Sequence, residues 1–431
     1  MVKKLMVVPQ EMRRPCKISM GEIPVNQYRR SLTEELEART LATSDAVRIW
    51  RDMSLIREFE GMLEEIKKNG SYQGIAYDHK GPAHLSIGQE AAAVGEAFLV
   101  GPEVHIYGSH RSHGEIIAKG LSAIEKMSEA DLRRTMEEHL GGQTLQVVLS
   151  DAAGGARYGP GAAGARDLAV DYLLYGLLSE IFGRAAGFNR GLGGSMHAFF
   201  PPFGVYPNNA IVGASADIAV GAALCMRVQR RPGFAIANIG DASTGCGPVW
   251  EAMNFASMGQ FWKLWEADYR GGLPVIFAFM NNFYGMGGQT LGETMGFVRL
   301  SCVGAGLNAH RLHAETVDGN DPLAVIDAFR RKIEVLRSGD GPVLLEIQVY
   351  RQSGHSPSDA SAYRDREEIL LWKEVDPLLE YGRKLVAAGV ATEGDLERIR
   401  EDSVRRMKRV CALAVDLQIS PRLELDRKSV V

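Results

Sequence analysis

Three short, mostly apolar runs, each followed at once by small or polar residues, constrain the fold of this chain more than any other feature. The runs lie at 234–240, 273–280 and 342–350, and helical patterns separate them. Apolar runs of this length are typical of strands buried on both faces, and strands that alternate with helices favour a parallel sheet. We therefore predict an α/β fold: a doubly wound, mostly parallel sheet with helical N- and C-terminal extensions.

The rest of the chain suggests one large domain with extensions at both ends. We predict an N-terminal extension over 1–43, a single domain over 44–418 and a C-terminal tail over 419–431. An insert at about 121–170 interrupts the regular pattern. Its Gly- and Pro-rich stretch at 154–165 predicts a flexible loop.

Polar residues predict where several helices begin. Ser44 is a candidate cap for a helix over 45–68, and Ser86 with Gln89 has the pattern of a capping box. Asp321, followed by a proline, predicts the start of a helix that runs to about 337. Further helices are predicted over 214–230, 247–258, 365–389 and 392–416.

Composition excludes several classes of protein. A net charge of −4 without a basic run argues against a nucleic-acid partner. No apolar run approaches the roughly 18–20 residues needed to cross a bilayer, so no membrane span is expected. The five cysteines are scattered and form no CxxC pair, which argues against a disulfide framework or a zinc site and predicts a cytoplasmic location.

The predicted strands end in residues that bind metals and phosphates. Asp241 follows one strand, Asn282 another and Arg351 a third, while Arg111 follows a short predicted strand at 103–108. Because ligands of such sheets bind beyond the carboxyl ends of the strands, we expect these side chains to lie close together.

A magnesium–diphosphate unit fits these residue types. Mg²⁺ prefers about six oxygen ligands, and a single acid with a neutral oxygen or two leaves positions for phosphate oxygens. Asp241 and Asn282 would supply such a set. The small residues Ala242 and Ser243 would let backbone N–H groups approach the phosphates.

Several motifs occur in the order seen in one enzyme family. The "GDAS" of 240–243, followed downstream by "NN", resembles the thiamine diphosphate motif. The other matching motifs are "IREFE" (56–60), "HLSIGQEA" (84–91), "SHRSHG" (109–114), "GRAAGFNRGLGGSMH" (183–197), "NNAIVGASADIAVGAAL" (208–224) and "VYRQSGHSPSD" (349–359). Over roughly residues 45–415 the chain resembles the E1 α subunits of pyruvate, branched-chain and acetoin dehydrogenases. His110, where pyruvate-type chains usually have tyrosine, makes "SHRSHG" more similar to the acetoin type.

The resemblance implies roles for three groups of residues. The Mg²⁺ ligands would be Asp241, Asn282 and the carbonyl of Tyr284. The residues that bind the cofactor would be His110, Arg111, Ala210, Val212, Gly240, Asp241, Ala242, Ser243, Asn282 and Arg351. The catalytic residues would be His355 and His84, which would orient the substrate carboxylate and stabilise charge.

The implied reaction needs thiamine diphosphate, Mg²⁺ and two protein partners. The resemblance implies decarboxylation of a 2-oxoacid, or cleavage of acetoin, by the cofactor's carbanion, and transfer of the acyl unit to a lipoyl-bearing E2. It also implies that a glutamate needed at the pyrimidine ring comes from an E1 β subunit, in an α₂β₂ heterotetramer.

Two other functions stay open at this stage. One is a split transketolase-like carboligase subunit, and the other is a non-catalytic regulatory paralogue. The second rests on the insert and on Ala242, which replaces the motif glycine and would be strained if that position needed a positive φ. Extra residues at about 265–272 lengthen the spacing between Asp241 and Asn282, and we predict that they form a surface loop.

Overall fold

A computed structural model describes residues 8–17, 19–150, 164–357 and 359–424 of the chain. Its centre is a six-stranded sheet in the order β4-β3-β5-β6-β8-β7, in which all neighbouring strands are parallel. A separate antiparallel hairpin pairs β1 with β2. The strands are β1 (Ser71–Tyr72), β2 (Ile75–Ala76), β3 (His105–Tyr107), β4 (Val205–Tyr206), β5 (Ala235–Gly240), β6 (Val275–Asn281), β7 (His313–Asp318) and β8 (Val343–Gln348).

Helices surround this sheet. The α-helices of the described residues are α1 (Pro9–Met12), α2 (Leu32–Glu37), α3 (Thr43–Asn69), α4 (Glu90–Ala97), α5 (His113–Lys126), α6 (Glu129–Glu138), α7 (Gln143–Ser150), α8 (Ala165–Ile181), α9 (Ala214–Gln229), α10 (Gly247–Ala256), α11 (Gln260–Lys263), α12 (Cys302–Asn308), α13 (Pro322–Arg337), α14 (Arg366–Glu374), α15 (Pro377–Ala387) and α16 (Glu393–Val415). Short 3₁₀ turns lie at His139–Gly142, Pro201–Phe203, Asp241–Gly245 and Ala267–Tyr269. Among the described helices, none combines the length and apolar character that crossing a bilayer would require.

The two faces of the sheet bury different apolar clusters. In β5, Ile236 belongs to a large cluster with α3, α4, α5, α8 and α13, whereas Ala235 and Ala237 pack with α9 and α10 on the other face. The alternation follows from the two-residue repeat of a strand. Helices on both faces of a parallel sheet are the predicted doubly wound α/β fold, which is therefore confirmed.

Most predicted elements are present, but three predictions about helix ends were wrong. Ser44 lies inside α3, which begins at Thr43 after Ala42. The capping box of Ser86 and Gln89 does not form, because Gln89 is itself the N-cap residue of α4 and its side chain makes no cap hydrogen bond. The helix predicted over 365–389 is two helices, since the chain breaks at Asp376, whose carboxylate caps α15. The prediction for Asp321 is confirmed: its side chain accepts the N–H of Leu323 at 3.1 Å.

The region predicted as an insert is partly helical. α5 continues to Lys126, α6 and α7 follow, and α8 begins at Ala165. Of the loop predicted at 154–165, all but the last two residues lie outside the described residues. The helix α8, buried along nearly its whole length, was missed because its continuous apolar run lacks a helical repeat. The loop predicted at 265–272 is confirmed as mostly solvent-accessible, and the division into one domain with two extensions stays a prediction.

Candidate active site

The carboxyl ends of β3, β5, β6 and β8 open into one cavity of about 370 Å³. The cavity collects every residue to which the sequence assigned a site role. These residues are His84, His110, Arg111, Ala210, Val212, Gly240, Asp241, Ala242, Ser243, Asn282, Tyr284, Arg351 and His355. The structure thus places them together, while the role of each one stays a prediction.

Asp241 is a buried carboxylate at the start of the turn after β5, with only 1% of its surface exposed. The hydroxyl of Thr290 donates to its Oδ2 at 2.6 Å. Burial raises the pKa of Asp241 to about 6, although this hydrogen bond favours the charged form. A carboxylate held in this way needs a further positive partner, as a bound cation would provide.

The turn after β6 presents Asn282 rather than Asn281 to the cavity. Asn281 ends the strand, and its Nδ2 donates to Glu346 at 2.8 Å. Asn282 lines the cavity and accepts the N–H of Tyr284 through Oδ1 at 3.2 Å. An amide oxygen has two lone pairs, so Oδ1 retains one for a metal ion. Phe283, between them, has φ of 66° and produces the tight turn that returns Tyr284 to the cavity wall.

Ala242 does not disturb the turn. It lies in the 3₁₀ turn Asp241–Gly245 and is not among the residues with positive φ. The strain that a positive φ would impose on alanine is therefore absent. Its Cβ also does not crowd Gly285. A Cβ added at Gly285 would lie 3.5 Å from the Cβ of Ala242, which is an ordinary contact distance.

Arg111 and Arg351 give the cavity a positive charge. Arg111 donates to the carbonyl of Leu85 at 2.5 Å and to that of His355 at 2.9 Å. Arg351 donates to the carbonyl of Ser353 at 3.2 Å and to the hydroxyl of Tyr363 at 3.0 Å. Among the described residues, neither guanidinium forms an ion pair with a carboxylate.

Burial is the main cause that lowers the pKa of both arginines, and their mutual repulsion lowers the pKa of Arg111 further, to about 9. Buried guanidinium groups without a counter-ion are costly, and an anionic ligand would compensate them. Phosphate groups match the planar donors of arginine well.

Three imidazoles line the same cavity. The ring centroid of His84 lies 5.0 Å from that of His110 and 5.1 Å from that of His355. Burial lowers the pKa of His84 and His355 to about 4 and that of His110 to about 3, and the charge of Arg111 contributes in each case. All three rings are therefore neutral near pH 7.

The tautomer of His355 follows from its partner. Nη2 of Arg111 lies 3.2 Å from Nδ1 of His355. A guanidinium can only donate, so Nδ1 is the acceptor and Nε2 carries the proton. His84, in contrast, has a buried Nδ1 without a hydrogen-bond partner in the described part of the chain.

Sequence reasoning missed four polar residues of the site. Thr290 holds Asp241, and Gln89, Glu115 and Asn238 line the cavity. A polar residue inside the apolar run 234–240 was the available signal for Asn238. Thr290 had none, because its loop has no repeating pattern and only the folded chain brings it to Asp241.

A buried serine–histidine–glutamate chain lies beside the site. Nδ1 of His113 is 2.8 Å from Glu60 Oε1, and Nε2 is 2.8 Å from Ser195 Oγ. All three side chains are buried and none lines the cavity. These hydrogen bonds therefore anchor the segment that carries Met196, a cavity residue, and do not present Ser195 as a nucleophile.

The residues present fit a magnesium–diphosphate group. Among the described residues, neither of the two buried guanidinium groups forms an ion pair with a carboxylate, while Asp241 supplies a buried carboxylate and Asn282 an amide oxygen. Groups that bind phosphate and groups that bind a metal ion therefore line the same cavity.

Comparisons with known proteins agree with this arrangement. The family model described as "Dehydrogenase E1 component" matches residues 163–417. The pyruvate dehydrogenase E1 component subunit alpha of Zymomonas mobilis is 30% identical over 94% of this chain and 93% of its own length. The corresponding subunit of Rhizobium meliloti is 29% identical over 83% of this chain and 82% of its own length. The human somatic form is 28% identical over 83% of this chain and 73% of its own length. The chain therefore belongs to the dehydrogenase E1 component family, and the relatives that it matches over most of its length are α subunits.

Proposed function

We propose that this chain is the α subunit of a thiamine diphosphate- and Mg²⁺-dependent E1 enzyme that decarboxylates a 2-oxoacid. The observation that carries the proposal is that two buried arginines, neither of them ion-paired with a carboxylate of the described residues, line one cavity with Asp241 and Asn282. The family match supports the same reaction class. The names of the relatives support pyruvate as the first substrate to test.

Each part of the cavity has a proposed task. Asp241, Asn282 and the Tyr284 carbonyl would hold Mg²⁺, and Arg111, Arg351 and His110 would hold the diphosphate. The turn formed by Gly240, Ala242 and Ser243 would border the phosphates, and Ala210 and Val212 would border the aminopyrimidine. When bound, thiamine diphosphate supplies the carbanion that decarboxylation of a 2-oxoacid requires.

The neutral histidines suit substrate binding. Nε2–H of His355 is a hydrogen-bond donor held in place by Arg111, and it would bind the carboxylate or the 2-oxo oxygen of the substrate. His84, adjacent to it, has an unpartnered Nδ1 that would orient the same group. Because the pKa values of both rings lie near 4, neither ring would carry a positive charge at neutral pH.

The proposal includes an E1 β partner and a lipoyl-bearing E2. Large apolar side chains are exposed close to the cavity: Met286 is 77% exposed and Val212 is 43% exposed, and both line it. Exposed apolar side chains at a cavity mouth favour a protein partner that covers them. We propose that this partner completes the site in an α₂β₂ heterotetramer. A cytoplasmic location is part of the proposal, and all five cysteines, each within the described residues, are free.

The test is reconstitution of the chain with an E1 β-type chain. Titration calorimetry should show thiamine diphosphate binding that requires Mg²⁺, and the pair should reduce an artificial electron acceptor with pyruvate. Arg351→Met should weaken cofactor binding, because it removes a buried phosphate-binding charge. A purified pair that binds no thiamine diphosphate would refute the proposal.

The resemblance of "SHRSHG" to the acetoin type leaves one substrate alternative, which rests on His110 in the cavity wall. Consumption of acetoin in place of pyruvate by the reconstituted pair would favour it. The regulatory-paralogue alternative loses one of its two grounds, because Ala242 is not strained.

A further inference from the structure

The cavity has a second polar wall that the proposed cofactor site does not use. Gln89, Glu115 and Asn238 all line the cavity, and each is at least nine-tenths buried. They come from the N-cap of α4, the first turn of α5 and the interior of β5. We call these three residues the amide–carboxyl wall.

Each residue of this wall has a buried polar atom that finds no hydrogen-bond partner among the residues the structure describes. The atoms are Nε2 of Gln89, Oε2 of Glu115 and Oδ1 of Asn238. Native proteins rarely leave such atoms unpaired, because each loses its hydrogen bonds to water without replacement. Three of them on one cavity wall point to a ligand group that satisfies them.

A buried acid holds the wall in place. Nδ2 of Asn238 donates to both carboxyl oxygens of Glu96, at 2.9 and 2.8 Å, from behind the cavity. This pairing orients the amide, so that Oδ1 rather than Nδ2 remains as the unpaired atom. Burial is the chief cause that raises the pKa of Glu96 to about 8 and that of Glu115 to about 7, so Glu115 is only partly ionised near neutral pH.

The donors and acceptors of the wall match a hydroxyl group. A hydroxyl donates one hydrogen bond and accepts others, and the wall offers a donor, Gln89, an acceptor, Asn238, and Glu115, which accepts when ionised and can also donate when protonated. An ammonium group fits less well, because Arg111 and Arg351 already charge the cavity positively. An alkyl group would leave all three atoms unpaired.

We propose that the amide–carboxyl wall is a substrate subsite for a hydroxyl group, so that the enzyme prefers a substrate with a hydroxyl on its carbon chain. The inference rests on the proposed function, since it names the substrate class of that same cavity. Two sources share this chemistry: a hydroxylated 2-oxoacid and an acyloin such as acetoin.

The test uses the reconstituted complex and matched substrate pairs. The pairs are pyruvate with 3-hydroxypyruvate, and 2-oxobutanoate with 4-hydroxy-2-oxobutanoate, with acetoin as a separate substrate. The expected result is a kcat/KM at least about tenfold higher for a hydroxylated substrate than for its alkyl counterpart, because an alkyl chain leaves buried polar groups unpaired. Preference for acetoin would assign the hydroxyl to an acyloin, which also supports the subsite.

Variants separate recognition from folding. Glu115→Leu should lower or reverse the hydroxyl preference, whereas Glu115→Gln keeps the size and hydrogen bonding of the side chain and should retain it. The double variant Glu96→Leu with Asn238→Leu removes both members of the buried pair, so that neither is left unpaired, and should also lose the preference. The surface change Glu334→Gln on α13 is the control and should leave the ratio unchanged.

A binding measurement gives a second readout. The hydroxylated acid should raise the unfolding temperature of the complex more than its alkyl counterpart does, and Glu115→Leu should abolish that difference. Turnover of 2-oxoacids with an alkyl preference that the variants leave unchanged would overturn the subsite but not the proposed function. Thiamine diphosphate binding without turnover of any 2-oxoacid or acetoin would overturn both.

Discussion

Thr290 shows how a single hydroxyl can orient the carboxylate on which the proposed metal site depends. It donates to Oδ2 of Asp241 at 2.6 Å and thereby fixes the orientation of the carboxylate. Thr290→Val keeps the shape of the side chain and removes this hydrogen bond. Loss of a hydrogen bond that orients a metal ligand costs about 10–100-fold in metal affinity, so we expect Mg²⁺-dependent thiamine diphosphate binding to weaken by that factor.

Calorimetric titration of Mg²⁺ into the complex with thiamine diphosphate measures this effect. Thr244→Val is the matched control, because the hydroxyl of Thr244 donates only to the backbone carbonyl of Asp241, at 2.8 Å. Equal affinities for the Thr290 variant and the wild type would show that this hydrogen bond does not orient a metal ligand.

Glu96 makes stability depend on pH. Burial raises its pKa from 4.5 to about 8 in the folded protein. Between these two values the folded chain keeps a proton that the unfolded chain releases, so the free energy of unfolding contributed by this group falls as pH rises. Glu96→Gln removes the titration and keeps the amide contact with Asn238 possible. The variant should therefore gain stability relative to the wild type from about pH 5 to about pH 8.

Urea midpoints of the isolated chain across this range measure the difference. Glu334→Gln, which changes an exposed carboxylate on α13, should show no such trend. A difference between Glu96→Gln and the wild type that stays constant with pH would contradict the raised pKa.

At the scale of elements, α14 holds the turn after β6, which contains two of the proposed metal ligands, Asn282 and Tyr284. The carboxylate of Glu368 on this helix accepts the hydroxyl of Tyr284 at 2.9 Å and that of Tyr350 at 2.7 Å. Trp372 on the same helix stacks on Tyr350, with ring centroids 4.9 Å apart. The helix thereby connects the end of β8 to the turn after β6.

Removing this carboxylate should loosen the turn. Glu368→Leu leaves two tyrosine hydroxyls without their acceptor, which should destabilise the local structure by about 1–3 kcal/mol. Hydrogen exchange of the amides at 282–286 should become faster, while exchange in β5 should not change. Glu367→Leu, an exposed neighbour on α14, is the control. Unchanged exchange at 282–286 in Glu368→Leu would show that α14 does not order this turn.

At the scale of the whole molecule, exposed apolar side chains near the cavity favour assembly with a partner chain. Val298 is 77% exposed and follows the loop that contains Thr290. Val298→Glu should weaken association with the β-type chain and leave the stability of the isolated chain within about 0.5 kcal/mol, because the site is exposed. Size-exclusion chromatography of the mixed chains measures the first effect, and thermal unfolding measures the second.

Leu417→Glu, an exposed change in the C-terminal segment, is the control for that experiment and should assemble normally. Normal assembly of Val298→Glu as well would place the partner interface elsewhere on the molecule.

The sequence by itself determined the fold class and many of the residues that line the cavity. Strand runs such as 234–240 carry their signal locally, because a strand buried on both faces needs apolar side chains along its length. The same order of strands places Asp241, Asn282, Arg351 and Arg111 at one edge, because parallel strands align their carboxyl ends. For this reason motifs far apart in the chain predicted one site.

Only the tertiary structure decided how the site is charged and held. The lowered pKa values of the three histidines, the contact of Thr290 with Asp241 and the unpaired atoms of Gln89, Glu115 and Asn238 arise from burial and from packing between distant segments. The failed capping box at Gln89 has the same origin, because its side chain faces the cavity and the backbone N–H of Ser86 donates to the distant Glu60 instead. Local patterns indicate which residues begin helices and end strands, but burial by the rest of the chain sets their charge and their partners.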